Sequence, residues 1–188
     1  MTTLLRCLQA LSISLLYSVS AIAQTAGTKN NDYRDQLIGK WYHKSEITQQ
    51  SVTIMAQSVQ DFLPNGTISE QAQIISTTKD GQVSCLVNSS WEWSVSGNKI
   101  YQKKIGLHVI PDYFKDHRGQ FVNNPSALNE VCEIIKKNRS ESLMTTSVFT
   151  ILKIDSKILN YQYQDSKGSI QESTDHRVNK GLSSYKVN

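Results

Sequence analysis

The chain has 188 residues, with 20 Lys and Arg against 16 Asp and Glu, and 38% of it is hydrophobic. That is enough chain for one domain with a real hydrophobic core. The small basic excess is scattered, Lys103-Lys104 and Lys136-Lys137 being pairs and not patches, so the basic stripe with interleaved aromatics that marks a nucleic-acid partner is missing.

Residues 1–23 have the layout of a cleavable secretory signal: Arg6 near the start, an apolar run over 8–23, and a small-x-small end at Ala21-Ile22-Ala23. A membrane span needs about 20 predominantly apolar residues, and Ser12, Ser14, Ser18 and Ser20 interrupt this run. Cleavage after Ala23 therefore predicts a periplasmic or secreted protein that does not span a membrane. Cys7 precedes most of the apolar run and drops out with the signal.

Two cysteines remain, Cys85 and Cys132, in a chain bound for an oxidising compartment where thiols tend to pair. The expectation is a disulfide closing a loop of nearly fifty residues, an effect of roughly 4 kcal/mol on the unfolded chain. The alternative is a pair of buried free thiols. Residues 24–34 are polar and read as a flexible N-terminal segment, and 181–188 as a C-terminal tail.

Strand patterns separated by turns dominate the domain at 35–180. The clearest is 82–95, where Val83, Cys85, Val87, Trp91, Trp93 and Val95 share one side, the period of two of a half-buried strand. Val52, Ile54 and Ala56 share a phase, as do Ile68, Ala72 and Ile74, and Leu159, Tyr161 and Tyr163. Between these runs lie Pro64-Asn65-Gly66, Lys79-Asp80-Gly81, Ser96-Gly97-Asn98 and Asp165-Ser166-Lys167-Gly168, which suit tight turns and antiparallel hairpins. Residues 106–144 break the pattern and read as an irregular insertion with Pro111 and Pro125. Within it Leu128, Val131, Cys132 and Ile135 recur at helical spacing, with Ser126 as a candidate N-cap and Lys136-Lys137-Asn138 as the end. That helix would turn Cys132 toward the sheet. Periodicity leaves a sandwich and a barrel both open.

A resemblance favours the barrel. The opening Asp35-Gln36-Leu37-Ile38-Gly39-Lys40-Trp41-Tyr42 resembles the Gly-x-Trp start of lipocalins and bacterial lipocalin-like domains, and Phe62-Leu63-Pro64-Asn65-Gly66-Thr67 is similar to the Phe-x-x-x-Gly-Thr hairpin that follows in bacterial members. Residues 91–100 and 150–159 resemble later strands of the pattern, and Arg177 stands where an Arg commonly ends the last one. The resemblance implies an all-β, mainly antiparallel, up-and-down barrel with one short helix in the inserted segment. It also implies structural roles for Trp41, closing one end, and for Arg177 laid against it.

Within such a barrel, Ser58, Gln60 and Glu70 fall in the same phases as apolar residues, so polar groups point inward unless the strands are bulged and Glu70 reaches solvent. Trp91 and Trp93 share a face and form either an aromatic wall for a ligand or two core residues, and Tyr161 and Tyr163 carry the same pair of readings. His43, His108, His117 and His176 make no compact metal motif, and no Gly-x-Ser-x-Gly elbow marks a nucleophile. The chain thus reads as a non-catalytic protein without cofactor or metal, binding a small, partly apolar ligand through Trp91, Trp93, Glu70, Ser58 and Tyr161. The second reading is a disulfide-tied β domain that binds another protein through 106–144, where Tyr113, Phe114 and Phe121 lie.

Overall fold

Eight strands joined in sequence order, each antiparallel to the next, close on themselves when the last pairs with the first. A computed structural model describes residues 30–165 and 168–182. Residues 1–23, where the signal is expected, residues 24–29, Ser166 and Lys167, and residues 183–188 of the expected tail lie outside them. In chain order come α1 (Asn30–Leu37), β1 (Gly39–Gln49), β2 (Val52–Phe62), β3 (Thr67–Thr78), β4 (Gly81–Ser96) and β5 (Lys99–Asp116). After these follow α2 (Pro125–Ser140), β6 (Thr146–Ile154), β7 (Ile158–Gln164) and β8 (Ile170–Val178). The expected antiparallel up-and-down barrel is the fold found.

Closure is uneven along the barrel. β1 and β8 pair only over Lys40–Tyr42 against Val178–His176, and β5 meets β6 only over Lys99–Lys103. The hairpins from β2 to β5 run well past that level, and α2 covers their inner face. Its buried Val131, Cys132 and Ile135 pack with Ala72, Ile74, Val83, Cys85 and Val87. Cys85 and Cys132 are joined by a disulfide, their Cα atoms 5.8 Å apart, so the helix is tied to β4 as the apolar spacing predicts.

The opposite end is shut by α1. Leu37, Trp41, Phe62, Ile68, Trp93, Ile100, Ile151 and Leu159 form the second apolar cluster there. The Trp41 indole donates to the Leu37 carbonyl at 2.7 Å, and Arg177 covers the ring face 4.3 Å from its centre. The Arg177 guanidinium donates to the Ile38 carbonyl at 2.8 Å and also to that of Gln36. Gly39 makes this approach feasible: its φ is +118°, and a Cβ there would stand 2.9 Å from Arg177 Nη1.

Three expectations are corrected. The segment taken as flexible to residue 34 is helical from Asn30, because Arg34 is held by the Pro64 carbonyl at 2.9 Å and lies 4.7 Å from the Trp93 ring centre. The inserted segment begins as strand, since β5 continues to Asp116. Its partner register shifts at Ser84/Cys85 and Ser90/Trp91, and such bulges break a period-two pattern. Pro111 fits because this stretch lies beyond the part of β5 that pairs with β6. The cap of α2 is Asn124, which accepts from the Ala127 N–H at 3.3 Å, with Pro125 in the first turn; Ser126 lies inside the helix, which runs on to Ser140.

Candidate functional site

Between the two apolar clusters, every strand turns at least one polar side chain inward. On β1, Trp41 is buried at the closed end, so His43, two residues on, shares its inward phase. His43 stands opposite Ser58 on β2. Glu70 on β3 faces Ser89 on β4, Gln102 on β5 faces Ser147 on β6, and Tyr161 on β7 faces Ser173 on β8. Lys104 on β5 lies opposite Trp91, and Asp175 on β8 lies opposite Leu159. Ser58, Glu70, Ser89, Gln102, Lys104, Ser147 and Asp175 are all buried. Burying polar groups costs free energy unless they are paired, so a core built only for stability would have filled these positions with apolar residues.

The belt has two charged centres. At the first, His43 Nδ1 and Asp175 Oδ1 lie 2.9 Å apart, the Tyr161 hydroxyl donates to the same carboxylate oxygen at 3.2 Å, and Ser173 Oγ is 3.3 Å from His43 Nδ1. Burial alone would lower the imidazole pKa, but the hydrogen bond and charge of Asp175, helped by Glu70, outweigh it and hold His43 above its ordinary value. Burial first, and the Asp175 charge second, push the Tyr161 phenol well above the usual range. Asp175 and Ser173 approach the same imidazole nitrogen, whereas a Ser-His-Asp relay needs them on opposite nitrogens.

At the second centre, Trp91 links two charges. Its indole N–H donates to Glu70 Oε2 at 3.1 Å, and Lys104 Nζ lies 4.7 Å from its ring centre. Lys104 also donates to Ser142 Oγ at 2.7 Å and to the Arg139 carbonyl at 3.4 Å, fastening the last turn of α2 to β5. Burial, with Arg139 adding and Glu70 opposing, pushes its amine down to about 8. Ser89 Oγ, opposite Glu70, is buried without a hydrogen-bond partner.

The candidates read from sequence thus divide. Glu70, Ser58, Trp91 and Tyr161 are brought into the belt, but Trp93 is not. Its ring packs edge-on against Phe62 with centres 5.2 Å apart, and its N–H is shared between the Leu63 and Thr67 carbonyls at 3.2 and 3.1 Å. It therefore belongs to the closed end with Trp41 and Arg177, and the wall expected from Trp91 and Trp93 together does not form. Reading by sequence missed His43, Asp175, Ser89 and Lys104. Phase alone marked the first three: His43 follows Trp41 by two residues, Asp175 precedes Arg177 by two, and Ser89 lies between Val87 and Trp91.

A second feature lies on the inserted segment. An open recess of about 310 Å³ is lined by Tyr113, Phe114, Phe121, Val122 and Leu128 among others. Phe121 is 72% exposed, and Lys115 lies 5.1 Å from the Tyr113 ring centre and 4.8 Å from that of Phe121. No group of three or more potential metal ligands occurs among the described residues. No family model matches the chain, and no curated protein is significantly similar to it.

Proposed function

We propose that this is an exported, lipocalin-like, non-catalytic protein whose barrel binds a small, partly apolar molecule. The observation that carries the reading is the inward polar belt between two apolar clusters, with Ser89 Oγ buried and unpartnered beside Glu70. Ligand sites combine an apolar lining with a few polar groups that fix orientation, and eight-stranded barrels are of a size to hold one small ligand. The Gly39-Lys40-Trp41 opening and Arg177 support the family assignment, since both take the closing roles that the resemblance implies. The Cys85–Cys132 bond is in keeping with an oxidising destination, and no described helix is long and apolar enough to cross a membrane.

The test is a fluorescence titration against fatty acids, isoprenoids and aromatic compounds. A bound molecule should change the tryptophan emission, and Trp91→Phe should remove most of that change, whereas Trp93→Phe should preserve it. A panel that leaves the emission of the folded protein unchanged would overturn the reading. The exposed Phe121 and the recess beside it would then favour the second reading, a protein partner bound through the inserted segment.

A further inference from the structure

We propose that the ligand's head group is uncharged and both donates and accepts hydrogen bonds, a primary amide on an alkyl chain being the simplest case; this rests on the barrel reading above. Glu70, Ser89 and Lys104 are neighbours in register across β3, β4 and β5. Glu70 and Ser89 are directly opposite in the β3–β4 register, and Lys104 is opposite Trp91, two residues along from Ser89. Lys104 and Glu70 both reach the same indole, one at its face and one at its N–H, but they form no ion pair among the described residues.

Each group retains capacity. Glu70 has a second carboxylate oxygen besides the one that Trp91 uses. Lys104 has three N–H donors, two of them spent on Ser142 and Arg139. Ser89 has its whole hydroxyl. A carboxylate head would sit against Glu70 and an ammonium head against Lys104, and in a buried setting either like-charge contact is costly. A hydrocarbon without a head would leave the Ser89 hydroxyl unpaired, at the cost of a buried polar group. An amide meets all three requirements: its NH2 donates to Glu70, and its carbonyl accepts from Ser89 and Lys104.

Decanamide, decanoate and decylamine share one tail and differ only in the head, so titrating each near neutral pH isolates the head group. The wild-type protein should bind decanamide at least about tenfold more tightly than either charged analogue. Glu70→Gln keeps an acceptor for Trp91 while removing the charge, and it should improve decanoate by about tenfold. Ser89→Ala, which deletes only the free hydroxyl, should weaken decanamide by about fivefold and gives a second reading if the Glu70 variant does not fold. Equal binding of the three, or tightest binding of decanoate to the wild type, would overturn the amide assignment while leaving the barrel reading in place. Failure of all three to bind would count against the barrel reading itself.

Discussion

Arg177 stands across the β1–β8 register from Trp41, its guanidinium carbon 4.3 Å from the centre of the indole ring. Few residue pairs join β1 to β8, so this stack and the two carbonyls that Arg177 binds hold the seam where the barrel closes. Arg177→Ala should lower unfolding free energy by about 2–4 kcal/mol, the sum of a desolvated cation–π contact and lost charged hydrogen bonds. Arg177→Lys should recover less than half of that, because an ammonium cannot stack flat and donate twice. Urea denaturation measures both, and an alanine variant as stable as the wild type would contradict the closing role.

The disulfide joins α2 to β4, and its partners are 47 residues apart in sequence. Reduction should cost about 2–4 kcal/mol, the loop-closure value lying at the upper end, and should loosen α2 first, since only Val131, Cys132 and Ile135 of the helix are buried. Hydrogen exchange with and without reductant should show the loss of protection confined to 125–140 under mild conditions. Uniform loss across the barrel would show that the bond supports the whole fold instead.

Stability should respond to pH in two opposed steps. His43 is held above its ordinary 6.5, so its contribution is full below about pH 6.5 and is lost as pH climbs through the higher folded value. Lys104 titrates near 8 in place of 10.5. Between those values the unfolded chain binds more protons than the folded one, so stability rises with pH there. Denaturation midpoints over a pH series should therefore dip above neutrality and recover in mild alkali. His43→Gln should erase the dip and keep the recovery, and a dip that persists in that variant would exclude His43 as its source.

Much of this fold was legible because its strands are half-buried and alternate. Val83, Cys85, Val87, Trp91 and Trp93 keep one phase through β4 because the bulges fall on β5, and the same bulges scrambled the phase of β5 after Lys104. Lys103-Lys104 read only as a basic pair, yet alternation buries Lys104 and leaves its neighbour partly covered. The first helix was illegible for a different reason. Asn30–Leu37 contains one strongly apolar residue, Leu37, and its order comes from contacts distant in sequence, Arg34 with Pro64 and Arg177 with the Gln36 and Ile38 carbonyls. Tertiary contacts of that kind leave no periodicity to read.

Export is tested at the N-terminus. If Ala21-Ile22-Ala23 is the end of a cleaved signal, protein recovered from its native host should begin at Gln24, within a few residues. Intact Met1 on soluble intracellular protein would rule the signal out.

The central claim, that the barrel carries a small molecule on its polar belt, is tested most directly by mass spectrometry of protein purified from its native source, run first under native and then under denaturing conditions. The account predicts a population heavier than the polypeptide by one small ligand, which disappears on denaturation, and a smaller such population in Ser89→Ala. A single native mass equal to that of the disulfide-bonded chain, in protein that also takes up none of the panel compounds, would contradict it.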